Sequence, residues 1–306
     1  MNSVILMMGI LYLLLPFTFI SLLWFKRFRS RADWLAHLFL IAIYFTYILI
    51  VGRWDFFSFY LRGILLVFLL LASLRSLFRA KEYTWLATEK KWRYRISITF
   101  TVLLGLFFFI LTASAVLGYF YNKEAIALEF PLQDGTYYTA HGGNSESINY
   151  HNSSPTQQFA LDIVALNGFG TRANGLMPAK LKDYKIYGKN VYSPCTGKVK
   201  TAVNDIQEIP AQAMTQETKN YRRNHPAGNH VILACKDAEV LIAHMIQGSV
   251  GVKEGQQVHT GQQIGKVGNS GNTSEPHLHI QAQKDGQSTP ITFNTRFLKR
   301  NSLIYR

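Results

Sequence analysis

Residues 1–25, 34–52 and 96–122 contain no Asp, Glu, Lys or Arg. Each stretch supplies roughly 20 apolar residues, the length an α-helix needs to cross a bilayer's hydrocarbon core. Runs such as "ILYLLLPFTFISLLWF" and "VLLGLFFFIL" lack the polar face of a soluble amphipathic helix. A further span over about 56–74 is interrupted by Arg62, whose side chain snorkels to the headgroups if it lies near one interface. The chain is therefore expected to begin with a transmembrane region, residues 1–120, with spans of about 4–25, 34–52, 56–74 and 96–119. A cleaved signal peptide is not expected, because no basic segment precedes the first apolar run and three more apolar segments follow it.

Charge divides the chain at the same place. Residues 1–120 carry 13 Lys+Arg against 4 Asp+Glu, and residues 121–306 carry 19 against 14, the mixed texture of a soluble domain. Most of the excess sits beside the apolar segments, where it sets topology and argues against a nucleic-acid partner. The first loop carries Lys26, Arg27, Arg29 and Arg31; the third carries Arg75, Arg79, Lys81, Lys90, Lys91, Arg93 and Arg95. The second has only Arg53, Arg62 and Asp55. Positive loops face the cytoplasm. The N-terminus and everything after residue 120 are thus expected outside.

Beyond a connector at 121–134 the pattern changes to short alternating runs such as "ESINYH", "FALDIVAL", "GKVKTAV", "NHVILAC", "AEVLIAHM" and "PHLHIQAQ". Short β-branched and aromatic runs bounded by turn residues predict an antiparallel β-domain, here over 135–292 with a tail at 293–306. The fold class expected is an all-β antiparallel catalytic domain behind an all-α region of about four transmembrane helices. A polar insertion at about 203–228 reads as an exposed loop or irregular hairpin. If "CTGKVK" and "NHVILAC" pair across it, Cys195 and Cys235 come within reach of a disulfide suited to an oxidising exterior. The alternative is two independent small buried residues.

Three features carry chemistry. In "GNSGNTSEPHLHI", His277 and His279 are two apart and share a strand face, a suitable start for a zinc site. Asp162 lies inside the apolar run "QQFALDIVAL", where a carboxylate is costly unless paired or bound to metal. His244 closes the apolar strand "VLIAHM". Each has an ordinary alternative: chance spacing, a hydrogen-bonded aspartate, a structural histidine.

From about residue 130 to 292 the chain resembles the lysostaphin- and LytM-type zinc endopeptidases. The resemblance runs through "ALDI", "VYSPCTGKV", "GNHVIL", "IAHM" and "PHLHI", and through a Val–x–x–Gly–x–x–Val–x–x–Gly–x–x–Ile–Gly rhythm from Val252 to Gly265. It implies a compact antiparallel sheet with Zn2+ in a groove across it. It implies Asp162 and His279 as metal ligands, and His244 and His277 as groups that activate the attacking water and stabilise the oxyanion. The family's usual histidine four residues before the aspartate is Gln158 here, and an amide oxygen is a poor zinc ligand. His151 in "INYHN" is the preferred substitute; Gln158 itself, water, or the more distant His141 are the others. On a regular strand Gln158 and Asp162 would share a face, which gives Gln158 a substrate-binding role.

The resemblance implies a zinc metalloendopeptidase acting on stem or cross-link peptides of peptidoglycan. Its setting would be a bacterial cytoplasmic (inner) membrane, with the peptidase domain extracytoplasmic. The alternative is a catalytically inactive regulator of the same fold that binds cell wall or activates a partner amidase.

Overall fold

The computed structural model describes residues 3–87, 92–213 and 215–306. The chain divides into two compact units, Met1–Gly52 with Tyr60–Val116 and Arg53–Phe59 with Leu117–Arg306.

Among the described residues, the first unit holds four helices long and apolar enough to cross a membrane: α1 (Ser3–Phe25), α2 (Arg31–Val51), α3 (Leu61–Ala80) and α4 (Trp92–Leu117). Helix α1 contains a π-helical stretch at Ile10–Leu14. Ser30 starts α2 by accepting from the Asp33 amide, and Gly52 ends it, a normal pairing of a hydroxyl cap with a glycine terminus. The third span is shifted relative to expectation, beginning at Leu61 rather than about 56 and ending at Ala80 rather than about 74. Residues 53–59 are taken up by the other unit, so the helix starts later. Arg62 falls in its first turn and donates to the Leu49 carbonyl at 3.0 Å. Arg75 and Arg79, expected in a loop, lie in the last turns of α3. They donate to the Trp24 and Leu23 carbonyls that α1 leaves open at its end. Lys90 and Lys91 of the third basic loop lie outside the described residues.

The second unit is built on strands β1 (Ile126–Leu128), β2 (Thr136–His141), β3 (Leu161–Leu166), β4 (Asn190–Tyr192) and β5 (Gly197–Val203). These are followed by β6 (Asn229–Cys235), β7 (Ala238–Met245), β8 (Gln257–Val258), β9 (Gln263–Lys266) and β10 (Leu278–Lys284). The last are β11 (Gln287–Thr289), β12 (Ile291–Phe293), β13 (Arg296–Phe297) and β14 (Leu303–Tyr305). The main sheet runs β14-β2-β3-β10-β7-β6-β5-β8, with β11 hairpinned onto β10. Its pairings are antiparallel, as expected for the domain. An exception in the unit is β1, which pairs in parallel with β12.

Alternation along the central strands separates core from site. Leu161, Ile163 and Ala165 of β3, Val240 and Ile242 of β7, and Leu278, Ile280 and Ala282 of β10 join one buried core. With a two-residue period, Asp162, Val164, His279 and Gln281 must point to the opposite face.

Several expected boundaries are corrected. The tail at 293–306 is part of the fold, because β14 pairs with β2; the connector at 121–134 contains β1. The insertion at 203–228 includes a helix, α5 (Gln216–Asn224), capped by the Thr215 hydroxyl. "ESINYH" is not a strand: Tyr150–Ser153 is a 3-10 turn. Local alternation suited a strand there, but the Asn149 side chain caps a helical turn instead.

Strands β5 and β6 pair antiparallel, and Cys195 and Cys235 form a disulfide with Cα atoms 5.9 Å apart across a sequence separation of 40. In the chain-entropy account, closing such a loop stabilises by about 3–4 kcal/mol. Reduction is therefore expected to lower the unfolding midpoint of the β-domain, read by denaturant titration with and without reductant. An unchanged midpoint would contradict it.

Candidate metal centre

The register of the sheet brings the first two residues together, since Asp162 on β3 and His279 on β10 are direct cross-strand partners. His279 Nδ1 lies 2.9 Å from Asp162 Oδ1. His277, two residues earlier, falls on the same side, with Nε2 3.4 Å from Asp162 Oδ1 and no hydrogen-bond partner there. Its Nδ1 lies 2.9 Å from the Glu275 main-chain carbonyl. A carbonyl only accepts, so Nδ1 carries the proton and Nε2 is left with a lone pair.

His151 arrives from the 3-10 turn. Asn149 is fully buried; its amide donates to the Gly143 and Ala160 carbonyls at 3.0 Å, and its Oδ1 accepts from the His151 amide at 3.3 Å. This stitching sets the turn beside the start of β3 and puts His151 Nε2 3.0 Å from both Asp162 oxygens. Tyr150 adds its hydroxyl to Asp162 Oδ2 at 3.2 Å.

His244 stands at the end of β7 with φ +62°. Left-handed backbone is unfavourable for a histidine, and such strain concentrates at functional positions. Its ring centroid lies 4.9 Å from that of His277 and 5.6 Å from that of His279. His244 Nδ1 donates to the Ser270 carbonyl at 2.9 Å.

Electrostatics follow from three imidazoles around one buried carboxylate. Burial opposes ionisation of Asp162, but His151 and His277 hold its pKa well below the carboxylate range. Burial works against a charged His277, yet the Asp162 carboxylate raises its pKa. Burial and the neighbouring His277 and His279 push His244 well below the histidine range.

Among the described residues, two groups present three ligand atoms within 4.8 Å of one another: His151, Asp162 and His279, and His244, His277 and His279. The first offers two imidazole nitrogens and a carboxylate oxygen, a donor set suited to zinc. His277 Nε2, buried and without a hydrogen-bond partner, is the kind of orphaned atom that a ligand-bearing site leaves behind. The residues present fit a divalent metal. A cavity of 310 Å³ opens beside them, lined by Arg53, His141, Tyr150, Asp162, Glu275 and His277 among others.

Two sequence-selected residues sit differently. Strand β3 begins only at Leu161, so Gln158 does not share a strand face with Asp162; turns occupy 155–159. Its amide donates to Asn144 Oδ1 at 2.9 Å and its oxygen accepts from Lys123 Nζ at 3.3 Å. His141, the distant candidate ligand, does pair opposite Asp162 across a bulge. However, Arg53 meets its Nε2 at 3.2 Å and Arg300 its Nδ1 at 2.7 Å.

Tyr150, Glu275 and Arg53 also line the site, and none of them stands out by sequence pattern as a site residue. Tyr150 was findable as the neighbour of His151, and Glu275 as an acid two residues before His277. Arg53, by sequence, reads only as a topology charge.

Residues 182–290 match the model of Peptidase family M23. Among curated proteins, "Peptidoglycan DD-endopeptidase ShyA" of Vibrio cholerae is 40% identical over 60 residues, 19% of this chain and 14% of that protein. The chain thus matches only a small part of that relative's length. Among solved structures, a zinc containing peptidase from Vibrio cholerae aligns over 55% of this chain and 39% of that one, with 20% identity and a TM-score of 0.32. The catalytic domain of lysostaphin from Staphylococcus simulans aligns over 40% and 77% respectively, with 20% identity and a TM-score of 0.25.

Proposed function

We propose that this protein is a membrane-anchored zinc metalloendopeptidase that hydrolyses stem or cross-link peptides of peptidoglycan on the outer side of a bacterial cytoplasmic membrane. The observation that carries the reading is the convergence of His151, Asp162 and His279 on one point beside the cavity. The M23 match supports the reaction class, and the name of the partial relative supports the substrate.

His151, Asp162 and His279 would hold the zinc, which supplies Lewis acidity and brings the pKa of its water toward about 7. The other residues handle protons and orientation. His277, fixed through Nδ1–H to the Glu275 carbonyl, presents Nε2 as the base that takes a proton from the attacking water. His244, fixed through Nδ1–H to Ser270, has its own Nε2 for stabilising the developing oxyanion or delivering the proton to the leaving amine. The basic ends of α1 and α3 support the orientation, and the disulfide suits an oxidising compartment.

The unusual ligand gives the first test. His151→Ala in the full-length chain is expected to weaken zinc binding by at least about tenfold, the lower end of what losing a supporting partner costs. Gln158→Ala should bind zinc like wild type, because its side chain bonds Asn144 and Lys123. Zinc titration of chelator-stripped protein reads both. A wild-type response from His151→Ala with weakened binding in Gln158→Ala would make the amide the ligand. A wild-type chain that takes up no zinc and binds wall peptides uncut would be the inactive regulator.

A further inference from the structure

The connector between α2 and α3, residues 53–59, is part of the β-domain. Trp54 and Asp55 are fully buried. The Arg172 amide donates to the Asp55 carbonyl at 3.0 Å and the Phe59 amide to the Gly170 carbonyl at 2.9 Å. The Arg172 guanidinium lies 3.4 Å from the Phe56 ring centroid, and Phe59 packs against Tyr138 at 6.1 Å between centroids.

At the centre of this contact is a cluster of two cations and two anions. Arg53 grips Asp55 through Nε and Nη2, at 2.8 and 2.7 Å. Its Nη2 also reaches Glu275 Oε1 at 3.1 Å. Arg172 holds the other Glu275 oxygen from Nη2 and Nε, at 2.7 and 2.9 Å. Charges balance within the cluster, as a buried group of this kind requires. Glu275 is thus clamped from both sides, one clamp coming from the sheet domain's own loop and the other from the connector. Its main-chain carbonyl receives His277 Nδ1–H at 2.9 Å, and the Thr273 hydroxyl donates to the same carbonyl at 2.8 Å.

We propose that Arg53 is a positioning residue for the hydrolytic site: by fixing Glu275 it holds the carbonyl that locks His277 in its Nδ1–H tautomer with Nε2 turned toward Asp162. A segment joining two membrane-type helices thereby sets the geometry of a proton-transfer group. The turnover consequence rests on the peptidase reading; the effect on His277 does not.

A simple Arg53→Ala change leaves Asp55 buried with its bidentate partner gone and is liable to unfold the domain. Two better variants keep the charges balanced. Arg53→Lys retains one cation, but a single ammonium cannot reproduce the planar fork that spans Asp55 and Glu275. Arg53→Met with Asp55→Asn removes one charge of each sign. Full-length protein in detergent is compared by steady-state hydrolysis of a cross-linked muropeptide and by ¹⁵N NMR of the His277 ring at mildly alkaline pH. In wild type the ring should show the δ1-protonated pattern. In both variants kcat is expected to fall about tenfold or more with KM within about twofold, since a small misplacement of a catalytic group costs rate rather than affinity. The His277 pattern should become a tautomer mixture, less so in Arg53→Lys. An unchanged ring pattern and kcat in both variants would overturn the proposal, as would a loss confined to KM. If wild type cuts no muropeptide, the peptidase reading fails, and the ring pattern alone decides the positioning role.

Discussion

Asp162→Asn is expected to eliminate bound zinc and bring hydrolysis to the uncatalysed level. The substitution keeps the shape and removes the one negative charge among the imidazoles of His151, His277 and His279. An amide is a far weaker zinc ligand than a carboxylate, and its N–H₂ would face nitrogens placed to meet oxygen. Partners that merely touch a ligand are worth 10–100-fold in affinity, so loss of the ligand itself should exceed about 10²-fold. Metal content after dialysis against a weak chelator measures it. Full zinc occupancy in this variant would move the ion to the neighbouring group of His244, His277 and His279.

The opposite signature is expected from His244→Ala and His277→Ala, which should keep zinc and lose about 10²–10⁴ in kcat, the range for a general acid or base. Both rings are tied at Nδ1 to main-chain carbonyls, Ser270 for His244 and Glu275 for His277. Each is therefore held in one tautomer, with Nε2 available for proton transfer. His279 shows the contrast: its Nδ1 lies against the Asp162 carboxylate and its Nε2 against Gln281, so neither nitrogen is tied to a main-chain carbonyl. Loss of zinc on removing His244, together with retention on removing His151, would exchange the two sets of roles.

Much of this was legible from spacing alone. The two-residue spacing puts His277, just before β10, and His279, within it, beside the same Asp162, and an acid inside an apolar strand marks Asp162. The pairing of the strands flanking the insertion allows the disulfide without deciding between it and two separate buried cysteines. What the sequence could not show were placements fixed by tertiary contacts. The turn carrying His151 depends on Asn149 reaching carbonyls at 143 and 160, which no local pattern reveals. Gln158 looked aligned with Asp162 because a strand was assumed to reach it, whereas β3 starts three residues later. Arg53 and Asp55 read as loop charges because their partners, Glu275 and Arg172, are more than 100 residues away in the chain. For the same reason the third apolar helix starts later than the sequence suggests: residues 53–59 belong to the unit that holds the β-domain.

The most direct test of the account is mass analysis of cross-linked muropeptides incubated with zinc-loaded full-length protein, alongside the Asp162→Asn variant. The account predicts that wild type splits a peptide bond, adding one water and exposing a new amine and carboxylate, and that the variant leaves the substrate intact. Intact muropeptides with wild type carrying stoichiometric zinc would contradict it.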